Sequence, residues 1–161
     1  MILEPQVAAH AEEMFAVLGD PAIYEFENDP PPSLEWLRGS LAKLESRCSP
    51  DGTEKWLNWV IRTDEGLAGY VQATVHADAS ADIAYVLASP FWGRGLAAES
   101  VNAMIAQLRD VHGVRKLGAI FKGANLRSRR LLERLGFRDA IREEVAARGM
   151  EPDEMMMVRD A

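Results

Sequence analysis

The chain has 161 residues, 48% of them hydrophobic and 27% charged, and a formal net charge of −7. That balance predicts a single globular domain spanning residues 1–161, with its own core, and argues against a disordered chain or a general nucleic-acid binder. No apolar run approaches the ~18 residues of a membrane span, and a lone Cys48 with three scattered histidines (His10, His76, His112) offers neither a disulfide nor a metal site.

At the N-terminus, Met1-Ile2-Leu3-Glu4-Pro5 lacks the basic and apolar regions of a secretory leader, so a cytoplasmic setting is expected. Residues 1–4 suit a short strand. Residues 6–18 carry Val7, Ala11, Met14, Phe15 and Leu18 at helical spacing. Asp29-Pro30-Pro31-Pro32 is a loop, and Ser33 is placed to cap a helix bearing Trp36, Leu37, Leu41 and Leu44, which is expected to run on to Cys48. Ser49-Pro50-Asp51-Gly52 reads as a turn. Lys55–Thr63 and Leu67–His76 form strands around the Asp64-Glu65-Gly66 turn, and Asp82–Leu87 is a third strand. Residues 95–111 read as an amphipathic helix stopped by Gly113. A strand at Lys116–Phe121 and a short helix at Asn125–Leu135, closed by Gly136, follow. Arg138–Ala147 and Glu154–Arg159 read as a closing pair of strands. Three consecutive strands followed by a β-α-β step predict a mixed α/β fold, with a largely antiparallel sheet and helices on both faces.

The chemistry is concentrated at Ala84-Tyr85-Val86-Leu87-Ala88-Ser89-Pro90-Phe91-Trp92-Gly93-Arg94-Gly95-Leu96-Ala97-Ala98-Glu99. A strand, a glycine-punctuated turn and a helix N-terminus in that order present backbone N–H groups to a phosphate or pyrophosphate. Charge agrees. Residues 90–138 hold ten basic and three acidic residues, whereas the rest of the chain holds eight and 22. An acidic protein has gathered its cations around this turn, which favours an anionic ligand. Gly93-Arg94-Gly95-Leu96-Ala97-Ala98 also fits G-x-G-x-x-A. A dinucleotide site would want an acidic residue about 20 positions on. Phe121-Lys122-Gly123 stand there, and the remaining chain is too short for a doubly wound fold. No Gly-Lys-Ser/Thr ending makes it a Walker loop.

The second motif is Asn125-Leu126-Arg127-Ser128-Arg129-Arg130-Leu131-Leu132-Glu133-Arg134-Leu135-Gly136-Phe137. Asn125 can cap this helix and Gly136 can end it, which explains most of the pattern without function. Together the two motifs resemble the GNAT superfamily of acyl-CoA-dependent N-acetyltransferases, whose pyrophosphate loop is [Q/R]-x-x-G-x-[G/A]; Trp92 departs from its usual first residue. Phe91-Trp92-Gly93-Arg94-Gly95 with Ala98-Glu99, and N-x-x-S-x-x-x-L-x-x-x-G-F from Asn125, look most like the RimJ/RimL-type subgroup.

The resemblance implies a GNAT-like sheet in which one parallel pair of strands splays. It implies acetyl-CoA as cosubstrate, no metal, and a chain that works as monomer or homodimer. Backbone amides of Gly93, Arg94, Gly95, Leu96 and Ala97 would hold the pyrophosphate. Val86, Leu87 and Ala88 would pair with the pantetheine arm, and Asn125 would contact the cofactor near the thioester. Arg94, Lys122, Arg129 and Arg130 are candidates for the outer phosphates. Acetyl transfer needs a neutral amine, a stabilised oxyanion and a protonated thiolate. Many relatives carry a tyrosine acid seven residues after the asparagine; Leu132 stands here, leaving Ser128 as the candidate acid or a surface hydroxyl. Asp82 occupies the position of a carboxylate base or of a solvated strand end, with His76 and Glu27 as weaker candidates. The acceptor, a small amine or a protein N-terminal amine, would be received by the acidic and aromatic Tyr24–Asp29 segment with Trp36, Trp56 and Trp59, unless these are solvated acids and core tryptophans, which the same residues fit more readily. Direct attack in a ternary complex is the expected chemistry, and a non-catalytic acyl-CoA-sensing module is the alternative.

Overall fold

A computed structural model describes residues 1–26 and 28–161. Its elements are β1 (Ile2–Pro5), α1 (Ala11–Val17), α2 (Leu34–Leu44), β2 (Lys55–Thr63), β3 (Gly66–Val75), β4 (Ser80–Leu87), α3 (Leu96–Asp110), β5 (Lys116–Lys122), α4 (Leu126–Arg134), β6 (Arg138–Asp139), α5 (Arg142–Ala146) and β7 (Glu154–Asp160). The strands form one mixed sheet in the order β1-β2-β3-β4-β5-β7-β6, antiparallel except where β4 meets β5.

Side chains alternate across a strand, so β2 can feed two cores. Leu57, Trp59 and Ile61 join the larger one, where Val101, Met104, Ile105 and Leu108 of α3 and Leu131 and Leu132 of α4 pack on one face of the sheet. Val60 turns the other way and meets Met14 of α1 and Leu37 and Leu41 of α2. Burying each of these aliphatic side chains is worth about 2 kcal/mol. Helices therefore cover both faces, as the alternation in β2 requires.

The N-terminal half of the sheet is tightly specified. β3 and β4 pair in register from Gly69/Leu87 to Val75/Ala81. Ile61 faces Gly69 while Arg62 faces Leu67, so Ala68 is the extra residue of a β-bulge. On its other side β3 comes close to β4 at Gly69: a Cβ there would lie 1.9 Å from the Val86 carbonyl oxygen.

Three sequence expectations change. Residues 138–147 form a two-residue strand and the helix α5, not one long strand. Arg142-Glu143-Glu144-Val145-Ala146 are mostly good helix formers without apolar alternation. The Glu144 carboxylate also accepts the Ile141 N–H at 2.9 Å and so caps the helix start. Helix α2 stops at Leu44, and Cys48 lies beyond it, in an antiparallel bridge with Lys55. The first helix opens with a 3-10 turn at Ala8–His10 before α1. Among the described residues no helix is long and apolar enough to cross a membrane.

Candidate active site

The site begins where two strands separate. β4 and β5 pair only at Ser80/Lys116, Ala81/Leu117 and Asp82/Gly118. Beyond Asp82 the strands part, although β4 continues to Leu87 and β5 to Lys122. A parallel pair that opens in mid-sheet leaves main-chain groups without a ladder partner, and such groups need a ligand or water. A cavity of about 530 Å³ fills this opening. Ile83–Leu87 line it from β4, Ala119–Phe121 from β5, and Asn125, Ser128 and Leu131 from the α4 side.

Its upper end is the glycine turn. Pro90 sits in a 3-10 turn at Ser89–Phe91, after which Gly93 (φ +74°) and Gly95 (φ +78°) take left-handed conformations. Glycine adopts these without penalty. At both positions a Cβ would project into open space, which is where a bound group would approach. Gly95 is the N-cap of α3 and gives the helix no side-chain cap. Among the described residues, no protein acceptor takes the N–H groups of Gly93, Arg94, Gly95, Leu96, Ala97 or Ala98; the first internal bond runs from Glu99 N–H to Gly95 C=O at 3.1 Å. Six free donors at the positive end of a fifteen-residue helix form a nest for an anion.

The strand groups behave less uniformly. Ala88 N–H donates to Ala68 C=O at 2.9 Å, and the Leu87 carbonyl accepts the Trp92 indole N–H at 2.8 Å. Successive strand residues present their peptide groups to opposite sides. With Ala88 turned to β3, Leu87 is the residue whose main chain faces the opening. Val86 and Leu87 line the cavity and Ala88 does not.

Asn125 caps α4 by accepting the Ser128 N–H on its side-chain oxygen at 3.1 Å. Among the described residues its amide N–H₂ takes no protein acceptor, and Asn125 and Ser128 both line the cavity. Ser128 Oγ lies 2.6 Å from the hydroxyl of Tyr85, which reaches across from β4. Burial pushes the Tyr85 phenol up to about 12. Sequence reasoning missed Tyr85. Its signal is the alternation Ile83, Tyr85, Leu87, which puts its side chain on the α4 side of the sheet. Leu132, at the position of the relatives' tyrosine, is fully buried in the core.

The cations sort into two groups. Arg94 pairs with Glu65 at 3.0 Å, Lys122 with Glu151 and Asp153 at 2.6 and 3.1 Å, and Arg129 with Glu133 and Asp139 at 3.0 and 3.1 Å. Arg127, Arg130 and Arg134 are exposed and, among the described residues, carry no ion pair. Their spacing of three and four residues aligns them on one face of α4. Arg127 stacks its guanidinium 3.7 Å over the Trp92 ring, and Arg127 and Arg134 line the cavity. Neither of these two was singled out from the sequence, although the spacing was visible there.

Asp82 lies at the fork but outside the cavity lining. Gly118 opposite it makes room: a Cβ there would come within 3.0 Å of its carboxylate. That carboxylate takes Arg148 at 3.1 Å and His76 Nε2 at 2.9 Å, and His76 Nδ1 meets Glu54 at 3.0 Å. Four side chains from separated segments thus close a polar network on β4. Glu27 is outside the described residues. From the segment expected to receive the acceptor, Phe26 lines the cavity with Ala22 and Ile23. Asp20 fastens a 3-10 turn at Pro21–Tyr24 to the turn after β4, accepting Ser89 N–H at 2.6 Å and Ala22 N–H at 3.0 Å. These bonds lower the Asp20 carboxyl below its usual range, the Ser89 contact most. Trp36 is exposed, Trp59 is buried in the larger core, and Trp56 borders a separate small cavity beside Leu44 and Asn58. Among the described residues, no group of three or more His, Cys, Asp or Glu side chains is arranged to hold a metal ion.

A sheet that opens beside a free amide nest suits a ligand that carries both a phosphate group and an amide-bearing arm. Residues 1–138 match the acetyltransferase (GNAT) domain, and the chain belongs to the GNAT acetyltransferase family. No curated protein matches the sequence. Solved structures share the fold. An acetyltransferase from Thermus thermophilus superposes with a TM-score of 0.77 at 21% identity, covering 99% of this chain and 96% of that one. Spermidine N-acetyltransferase from Vibrio cholerae, in complex with CoA and spermine, superposes with a TM-score of 0.78 at 18% identity, covering 99% and 94%. A GNAT-family acetyltransferase from Streptococcus pneumoniae gives 0.71 at 16% identity, covering 99% of both chains.

Proposed function

We propose that the protein is a cytoplasmic acetyl-CoA-dependent N-acetyltransferase of RimJ/RimL-like type, one domain that moves an acetyl group from the thioester to a primary amine by direct attack. The observation that carries this is the run of unpartnered N–H groups from Gly93 to Ala98 beside the opened β4/β5 pair. A diphosphate satisfies the amides, and an amide-bearing arm satisfies the Leu87 side of the opening. The subgroup reading rests on Phe91-Trp92-Gly93-Arg94-Gly95 and on the Asn125–Phe137 pattern. An amine acceptor fits a family in which one fold neighbour is held with CoA and spermine.

In this reading the nest fixes the diphosphate, and Arg127 and Arg134 hold the outer phosphate. Asn125 and Leu87 align the pantetheine arm, so the thioester lies at the fork. Holding the two reactants there supplies much of the rate enhancement. The amine nitrogen attacks the carbonyl carbon, the C–S bond breaks, and Ser128 Oγ–H stands nearest the departing sulfur. Asp82 acts as base for the amine, with His76 and Arg148 keeping its carboxylate in place. No cysteine lines the cavity, which favours direct transfer over an acyl-enzyme.

Replacement of the relatives' tyrosine by the buried Leu132 favours one second reading, a domain that binds acyl-CoA without turnover. Calorimetry with coenzyme A and thiol release from acetyl-CoA separate the two. The panel is spermidine, free amino acids and peptides with free N-termini. Binding with thiol release for some amine is expected. Binding with none moves the protein to the sensing reading, and no heat with any coenzyme A species removes both.

A further inference from the structure

We infer that Tyr85 is a positioning residue that fixes the Ser128 hydroxyl as a hydrogen-bond donor toward the thioester sulfur, so that coenzyme A departs as a hydrogen-bonded thiolate. This rests on the coenzyme A reading above and adds to it a tyrosine from the strand side of the opening.

Three observations carry it. The Tyr85 hydroxyl lies 2.6 Å from Ser128 Oγ and 3.4 Å from the Ser128 carbonyl oxygen. Either hydroxyl can donate in the shorter contact, but a single phenolic hydrogen shared between the two Ser128 oxygens satisfies both contacts at once, because the carbonyl oxygen only accepts. In that arrangement Ser128 Oγ accepts from Tyr85 and its own hydrogen is left for another partner. Second, the Ser128 main chain is held independently, because Asn125 Oδ1 accepts its N–H at 3.1 Å. The hydroxyl is thus fixed from two sides, by the helix cap and by the opposite strand. Third, Tyr85, Asn125 and Ser128 all line the cavity between β4 and α4. The free hydroxyl hydrogen therefore has the cavity available to it.

The Tyr85 phenol, raised to about 12, is a poor proton donor for a thiolate whose parent thiol ionises near ~8.5. A serine hydroxyl is weaker still. Neither group hands over its proton; both remain neutral donors at working pH. The electron balance follows. The nitrogen lone pair forms the C–N bond, and the C–S electron pair goes to sulfur. Ser128 Oγ–H stabilises that charge by a charge-assisted bond. The proton lost from nitrogen passes to the Asp82 carboxylate, and the thiolate takes one from water on release. Among the described cavity-lining residues the charged ones are Arg127 and Arg134, and they are common to every variant below.

The test needs no acceptor. Coenzyme A labelled with carbon-13 next to sulfur is bound to wild type, Tyr85→Phe, Ser128→Ala and the double variant, and its thiol is titrated by NMR. The bound thiol is expected to ionise about tenfold more readily in wild type than in Ser128→Ala, as a hydrogen bond to a charged group implies. Tyr85→Phe is expected to lose most of that tenfold while binding coenzyme A within about threefold of wild type, and the double variant to match Ser128→Ala. A lost hydroxyl that mattered only for packing changes thermal unfolding and leaves this ionisation alone. An unchanged thiol in Tyr85→Phe or in Ser128→Ala overturns the inference, as do effects that add in full. Failure of wild type to bind coenzyme A overturns the underlying reading instead.

Discussion

Strand β4 has two neighbours and treats them differently. With β3 it pairs along nearly its whole length, and a side-chain-free Gly69 lets the backbones come together. With β5 it pairs only as far as Asp82 and then leaves a cavity. One edge of the strand is satisfied by protein and the other is left for a ligand. Two glycine positions mark the contrast. At Gly69 a Cβ has nowhere to go, whereas at Gly95 it would enter open space.

The largest expected effect lies on the closed edge. Gly69→Ala puts a methyl group into the Val86 carbonyl and should cost about 3 kcal/mol or more in urea unfolding, or prevent folding. A stability near wild type would mean the β3/β4 edge is looser than described. On the open edge, Gly95→Val should weaken coenzyme A binding about a hundredfold or more, since its side chain occupies the approach to the amides. Its positive φ adds a strain of about 1–2 kcal/mol, so the protein should still fold. Unaltered affinity in calorimetry would detach the glycine turn from the ligand.

Arg127→Ala should weaken coenzyme A about tenfold, and less so for coenzyme A lacking its 3′-phosphate, with the difference shrinking as salt rises. Equal losses for both ligands would leave Arg127 as a partner of Trp92 alone. The smallest effect lies far from the opening. Arg138 first, then Lys116, hold the Glu144 carboxyl down at about 2, from an ordinary 4.5. A carboxyl lowered by folding stabilises the native state fully above about 4.5 and progressively less as pH falls toward about 2. Glu144→Gln should therefore lower the melting temperature slightly at neutral pH, and the gap should close in acid. A gap that widens in acid would contradict the sign.

Much of this contrast was legible in the residues. The alternation in Lys55–Thr63, the glycine turn after Pro90 and the Asn125 cap each impose a local conformation, and each stands where expected. What failed to show was set by distance in the sequence. Residues 138–147 lack apolar alternation, and Glu144 reaches two cations on other elements, so a helix forms where a strand was expected. Lys122 and Arg129 read as ligand cations, yet Glu151, Asp153 and Asp139 fold back to neutralise them. Tyr85 reads as one more strand residue until Ser128, 43 positions later, is brought to 2.6 Å.

Amide NMR during a coenzyme A titration addresses the anion nest itself. Resonances of Gly93 through Ala98 should move together and saturate with the ligand, while the Ala88 amide, already bonded to Ala68, shifts little. Saturable binding that leaves those six signals in place would show that the phosphate is held elsewhere.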